Sequence, residues 1–157
     1  MESFGTRKTD EILIFYFIHM SGIELNYLAI LVSAAATIAL GMLWYSALFG
    51  KQWIALMGWT EEQMKQAKQK SMGKSYALMM ATALVKAYVL AMIVGFSGSA
   101  TLATGLLTGF WVWLGFVATV SMGSVLWEGK SWKLYVLNNG YDLVSLLVMG
   151  GVLAVWR

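Results

Sequence analysis

Long apolar stretches alternate with short polar ones along this chain. Four stretches carry almost no charge, and they cover residues 27–49, 75–96, 104–126 and 134–156. An α-helix needs about 20 apolar residues to cross the ~30 Å hydrocarbon core of a bilayer. The pattern therefore predicts an all-α integral membrane protein whose four transmembrane helices form one bundle. We expect this bundle to be a single domain over residues 25–157.

The composition excludes a soluble globule. Hydrophobic residues make up 59% of the 157 residues and charged residues 12%, against ~45–50% and ~25% in soluble domains. Cysteine is absent, and His19 is the one histidine. Too few ligand candidates remain for a zinc site, so we expect no metal and no cofactor. The small net charge of +3 lies mostly in one loop, which indicates no nucleic-acid partner.

The distribution of lysine and arginine predicts the orientation in the membrane. The loops over residues 50–74 and 127–133 carry Lys51, Lys65, Lys68, Lys70, Lys74, Lys130 and Lys133. The opposite side has only Arg7, Lys8 and Arg157. Because cytoplasmic loops are enriched in these residues, we expect both loops in the cytoplasm and both termini outside. The expected membrane is the bacterial cytoplasmic (inner) membrane.

The first of these loops contains its own helix signal. Thr60 and Gln63 have the spacing of a capping box, and Trp59 and Met64 that of a hydrophobic staple. We expect a short amphipathic helix over residues 60–72, ended by Gly73. Its lysines favour a position along the cytoplasmic headgroups, where it binds membrane lipid. The alternative is a solvated connector without a lipid role.

Six tryptophans lie close to the predicted span ends. An indole at the membrane interface buries its ring and still forms a hydrogen bond, which is typical of interfacial anchors. The predicted anchors are Trp44, Trp53, Trp59, Trp127, Trp132 and Trp156.

Residues 1–24 form an N-terminal extension outside the bundle. Its apolar run from Ile12 to Met20 is too short to span a bilayer. Acidic residues border the run and no A-x-A pattern follows it, which disfavours a signal peptide. We expect either an interfacial segment or a non-native extension of a product that begins at Met20.

Two charged residues inside the spans are candidates for a functional site. Lys86 lies about 16 Å and Asp142 about 12 Å from the cytoplasmic ends of their helices, at 1.5 Å rise per residue. Charges at such depths are costly, face the bundle interior and find partners. We therefore predict a buried ion pair between Lys86 and Asp142.

Polar or small residues line one face of each predicted helix. Around the two charges, the stripes predict an intramembrane polar site formed by Lys86, Asp142, Asn138, Tyr141, Ser145 and Thr82. The residues predicted to pack helix on helix are Ala35, Ala39, Gly41, Gly105, Gly109 and Gly115. Two explanations remain open for the stripes, because small and hydroxyl residues also serve helix packing in lipid. The stripes either serve only to pack one helix against another, or they line a cavity or pathway.

Enzyme-like motifs in the chain are incomplete. Gly95-Phe96-Ser97-Gly98 matches the G-x-S-G of intramembrane serine proteases, but no histidine follows it to accept the proton of the serine. Ser71-Met72-Gly73-Lys74 lacks the companion motifs that give S-x-x-K its meaning. We therefore expect no enzymatic activity.

Several segments together resemble one family of small membrane proteins. They include Asn26 to Val32, Leu43-Trp44-Tyr45-Ser46, Leu48-Phe49-Gly50-Lys51, Thr101 to Phe116, Trp127-Glu128-Gly129-Lys130 and Asn138 to Gly151. Over Leu25 to Arg157 the chain resembles the uncharacterised bacterial four-helix membrane protein family called domain of unknown function 1761. The resemblance implies four membrane helices and a start near Met20, and it implies no activity. Ala47 departs from the proline that the family often has after W-Y-S, so no proline kink is expected there.

Taken together, these patterns predict a self-associating four-helix membrane protein, with a dimer favoured. Its polar site would bind or conduct a small solute or ion, as in a transporter or channel. The alternative is a non-transporting scaffold or accessory subunit that uses the cationic loop helix to bind lipid or a partner protein.

Overall fold

The computed structural model describes residues 23–60, 62–63, 65–66 and 73–156. These residues contain no strand and five helices with fully described bounds, and residues 62–63 and 65–66 of the first loop are helical as well. The helices are α1 (Tyr27–Leu48), α2 (Gly50–Met57), α3 (Gly73–Phe96), α4 (Leu102–Leu126) and α5 (Trp132–Val155). All but α2 are long and apolar enough to cross a membrane. The predicted all-α fold with four spans is confirmed, and each span end lies within two residues of its predicted position.

Polar caps and glycine turns set the helix ends. The side chains of Asn26, Thr101 and Ser131 accept hydrogen bonds from the first backbone N–H groups of α1, α4 and α5, which otherwise have no partner. The turns after α2, α3 and α4 each contain a glycine with φ between 64° and 67°, namely Gly58, Gly98 and Gly129. Only glycine adopts this left-handed conformation without strain.

The capping box of the first loop is present. The Thr60 N–H donates to Gln63 Oε1 at 2.9 Å, and the Gln63 N–H donates to Thr60 Oγ1 at 3.3 Å. The described neighbours 62–63 and 65–66 are helical. Gly73 was expected to end this helix and is instead the first residue of α3. Met64 of the predicted staple, residues 67–72 and the extension over residues 1–22 lie outside the described residues.

α5 lies at the centre of the bundle and packs against α1, α3 and α4. The hydrophobic core forms where α1, α3 and α5 meet, and its members include Ala34, Ala87, Leu90 and Met149, which are each at most 2% exposed. These residues occupy the half of the bundle away from α2. The half next to α2 is more open and contains the cavity described below.

Glycines allow α4 and α5 to approach closely. A methyl group added at Gly109 would overlap the Leu146 carbonyl, and one added at Gly105 would overlap the carbonyl of Gly150. Gly150 in turn faces the Gly105 carbonyl, and it was missed as a packing residue. In lipid, such close backbone approach supplies the van der Waals contact that holds helices together.

Three other residues predicted to pack do not do so within the chain. Ala35, Ala39 and Gly115 are exposed, and a methyl group added at Gly115 would have no neighbour within 4 Å. The buried face of α1 instead contains Ala34, and each helical residue is turned about 100° from the one before it. Ala35 and Ala39 therefore belong to a different face.

Candidate intramembrane site

A cavity of about 890 Å³ opens between α1, α2, α3 and α5. It lies at the end of the bundle where α1 ends and α3 and α5 begin. Its rim between α1 and α3 is formed by exposed side chains of Met42, Tyr76 and Met79. The remaining lining residues are Thr37, Ile38, Gly41, Tyr45, Trp53, Thr82, Ala83, Lys86, Asn138, Tyr141 and Asp142.

The structure brings together the six residues of the predicted polar site. Five line the cavity, namely Thr82, Lys86, Asn138, Tyr141 and Asp142. The sixth, Ser145, is fully buried on α5 and contacts the Lys86 side chain. Lys86 and Ser145 are 59 positions apart in the sequence, and they meet because α3 and α5 pack side by side.

Lys86 does not form the predicted ion pair with Asp142. Its ammonium donates a hydrogen bond to Ser145 Oγ at 3.5 Å and lies 5.9 Å from the centre of the Tyr141 ring. The hydroxyl and the negative face of the ring partly replace water around the cation. Lys86 and Asp142 are still close enough to interact electrostatically. Within the described residues the one ion pair joins Lys130 to Glu128, at 2.7 Å in the loop before α5.

Two tyrosines and a tryptophan form an aromatic wall on the cavity. The Tyr45 ring centre lies 5.2 Å from that of Tyr141 and 5.6 Å from that of Trp53, both in edge-on geometry. The Tyr45 hydroxyl donates to Asn138 Oδ1 at 3.2 Å, and the Tyr141 hydroxyl donates to the Thr37 carbonyl at 3.2 Å. The wall therefore ties α1 to α5 through both hydroxyls.

Sequence reasoning did not assign Tyr45 or Trp53 to this site. A signal for Tyr45 was available, because Thr37, Gly41 and Tyr45 follow one another at four-residue spacing on one helix face. Gly41 leaves room for the ring opposite, since a methyl group there would lie 3.1 Å from the Tyr141 hydroxyl oxygen. No comparable signal marks Trp53, because it lies on the separate helix α2.

Two of the three helices that pack against α5, namely α1 and α4, contain a π-helical segment that begins with a tryptophan. The segments are Trp44–Leu48 in α1 and Trp113–Ala118 in α4. The Trp44 indole N–H donates to the Leu137 carbonyl at 3.2 Å, and that of Trp113 donates to the Asn139 carbonyl at 3.0 Å. The two indoles thus hold the turn of α5 that carries Asn138 into the cavity.

Trp44 therefore differs from its predicted role as an interfacial anchor. It is half-buried and its N–H is used inside the bundle, because the π-helical turn directs the ring onto α5. Trp53 is also half-buried, whereas Trp59, Trp127, Trp132 and Trp156 are exposed. These last four have the exposure that an anchor at a span end requires.

Asn139, next to Asn138 on α5, binds α4. Asn139 Oδ1 accepts a hydrogen bond from the Ser121 hydroxyl at 3.0 Å, and its amide donates to the Tyr135 carbonyl at 3.0 Å. The Tyr135 hydroxyl donates to the Ala118 carbonyl at 2.9 Å, at the end of the π-helical segment of α4. Asn138 and Asn139 therefore connect α5 to α1 and α4 respectively.

The cavity ends inside the bundle. Beyond Lys86 the next turns of α3 and α5 place Leu90, Val94 and Met149 in the core, where each is at most 2% exposed. The described residues contain no cluster of three side chains able to hold a metal ion. The site thus offers an ammonium, a carboxylate, hydroxyls and aromatic faces around a blind pocket.

These features define a multi-pass helical membrane protein with a polar cavity among its spans. The chain belongs to the family described as protein of unknown function DUF1761, whose model matches residues 28–154. The family resemblance of the sequence is thereby confirmed. The chain matches no curated protein and no solved structure.

Proposed function

We propose that this protein binds a small solute or ion in the cavity between α1, α3 and α5. The observation that carries the proposal is that Lys86 and Asp142 face this cavity from two helices without pairing. Charged side chains among membrane spans are costly, and they mark ligand or ion sites more often than structural ones. Two charges left available to an occupant favour a binding role over simple packing.

Binding is favoured over free conduction through one chain. The core beyond Lys86 is closed by Leu90 and Met149, and a pore would need a continuous polar path. Transport would therefore require a rearrangement that opens the far side of the cavity, as in alternating access. A transporter fits the blind cavity better than a channel does.

The membrane and the orientation are part of the same proposal. The lysines of the loops over residues 50–74 and 127–133 favour a cytoplasmic location for both loops, with both termini outside a bacterial cytoplasmic membrane. The cavity lies at the end of the bundle that these loops border. It would then receive its occupant from the cytoplasmic half of the membrane.

Self-association is supported by small residues left on the outer surface. Ala35 and Ala39 of α1 and Gly115 of α4 are exposed in the single chain, and small residues favour close contact between helices in lipid. A dimer that buries one of these faces would be a twofold homo-oligomer.

A scaffold is the second candidate function. Its supporting observation is the intact capping box of Thr60 and Gln63, which starts a helix that carries the exposed Lys65. In this alternative, the loop helix binds anionic lipid or a partner protein, and the charges in the cavity serve folding only.

Native mass spectrometry of protein released from nanodiscs separates these functions. We expect a defined oligomer that carries a reproducible adduct, either a small solute or one bound lipid, and we expect Asp142→Asn and Lys86→Met to lose it. Glu128→Gln and Lys130→Met are matched controls, because they remove the same charges from an exposed loop pair. An oligomer that carries only phospholipid in all variants would contradict the proposal and favour the scaffold.

A further inference from the structure

Lys86 and Asp142 face one cavity and interact electrostatically with each other, but they form few direct contacts within the chain. Lys86 has three N–H donors, and it uses one in a long hydrogen bond of 3.5 Å to Ser145. Asp142 accepts no hydrogen bond from the described residues, although it lines the same cavity. Most of the binding capacity of both groups is therefore available to an occupant.

We propose that the occupant is a zwitterion, with its cationic group at Asp142 and its anionic group at Lys86. This inference rests on the proposed function, since it names the ligand class of the same cavity. An occupant with a single charge would pair one of the two side chains and leave the other partly buried and unpaired, which is unfavourable. A zwitterion satisfies both charges and leaves the filled site neutral.

The two charges set the orientation of the zwitterion, and part of the aromatic wall lies at its cationic end. Asp142 is within electrostatic range of Tyr45, whose ring packs edge-on against Trp53. Aromatic faces beside a carboxylate are a typical environment for an ammonium group. On the other side, Thr82 lies one helical turn before Lys86 on α3 and lines the same cavity. The Thr82 hydroxyl donates to the Met79 carbonyl at 2.9 Å, so the Lys86 ammonium is the group that meets a carboxylate or a phosphate.

The position of the rim is compatible with two sources of such a ligand, the membrane lipid and the aqueous phase. Met42, Tyr76 and Met79 form an exposed, mainly apolar opening between α1 and α3, through which a lipid headgroup could pass sideways. The cavity also lies at the loop end of the bundle, where a water-soluble amino acid has access. A lipid headgroup and a water-soluble amino acid both carry an ammonium and an acidic group, so the test uses one probe of each kind.

Calorimetric titration of the full chain in nanodiscs tests the ligand class. The soluble probe is 4-aminobutyrate, compared with butylamine and butyrate, which each carry one of its charges. The lipid probe is dihexanoyl phosphatidylethanolamine. We expect a zwitterionic probe to bind at least about tenfold more tightly than either singly charged one, a difference of about 1.4 kcal/mol.

Charge-neutral variants locate the binding. We expect Asp142→Asn and Lys86→Met each to remove the preference for the zwitterion, while Glu128→Gln and Lys130→Met keep it. Comparing the probes on the unmodified chain needs no variant, so the test stands even if a substitution prevents folding. Tighter binding of 4-aminobutyrate or of the short-chain lipid supports the inference and identifies the source.

Other outcomes separate this inference from the proposed function. If butylamine or butyrate binds as tightly as both zwitterions and its binding depends on Asp142 or Lys86, the ligand class is wrong and the cavity is still a binding site. If no probe binds the unmodified chain more tightly than the double variant Lys86→Met/Asp142→Asn, the zwitterion inference is overturned. If the unmodified chain from the same protein batch also carries no adduct in native mass spectrometry, the result counts against the proposed function as well.

Discussion

Trp44 of α1 lies directly over Gly140 of α5. A methyl group added at Gly140 would approach the Trp44 ring to 3.3 Å, and the indole N–H reaches the Leu137 carbonyl one turn earlier. The ring thus occupies the space that a side chain at position 140 would need. Since the same stretch of α5 carries Asn138 and Asp142, this contact positions one wall of the cavity.

Removing the indole N–H should weaken the contact between α1 and α5. We expect Trp44→Phe to lower the free energy of unfolding by about 0.5–1.5 kcal/mol, as for one lost hydrogen bond plus some packing. The measurement is equilibrium unfolding in mixed detergent. Trp127→Phe is the control, because Trp127 is 87% exposed and its loss should leave stability unchanged. Equal effects of the two substitutions would contradict the role of Trp44.

The close contact between α4 and α5 should require a glycine at position 109. An added methyl group would overlap the Leu146 carbonyl, so Gly109→Ala must separate the two helices. Forced overpacking of this kind costs about 1–3 kcal/mol, which thermal unfolding would detect as a lower melting temperature.

Gly115→Ala is the matched control on the same helix. Its methyl group would meet no atom within 4 Å, so we expect an unchanged or slightly higher melting temperature. If Gly115→Ala destabilised the protein in an oligomer-dependent manner, the exposed face of α4 would be part of the contact between copies.

The link between α4 and α5 should depend on Ser121. Its hydroxyl donates to Asn139 Oδ1, and Asn139 is only 4% exposed. Ser121→Ala leaves this buried acceptor without that donor, at an expected cost of about 1–2 kcal/mol in unfolding free energy. Thr119→Val is the control, because the Thr119 hydroxyl donates only to the Gly115 carbonyl of its own helix. A larger loss for Thr119→Val would refute this assignment.

The four spans were predictable because the bilayer thickness fixes the length of an apolar helix. Gly105 and Gly109 were recognisable as well, since their spacing keeps them on one helix face. The rotation of α1 was predictable in part, because Ser33 and Thr37 of its polar stripe are buried. The small-residue spacing of Ala35 and Ala39 indicated a different face, which is exposed.

Six members of the candidate site were predicted from the sequence, whereas Tyr45, Trp53 and the contacts within the site were not. The depths of Lys86 and Asp142 placed them at a similar level, and helix spacing added Asn138 and Ser145. The choice of Ser145 as the hydrogen-bond partner of Lys86 depends on the rotation of α3 against α5. The inward position of Trp44 depends on a π-helical turn that no proline marks in the sequence.

We expect solutes to reach the cavity among the spans beside Lys86 and Asp142. The most direct test is the reaction rate of Thr82→Cys with a membrane-impermeant methanethiosulfonate in reconstituted vesicles. The chain has no cysteine of its own, and Leu90→Cys, two turns deeper in the core, is the control. We predict rapid labelling of the Thr82→Cys variant and none of the Leu90→Cys variant. Equally slow labelling of both would show that solutes do not reach the cavity and would contradict the account.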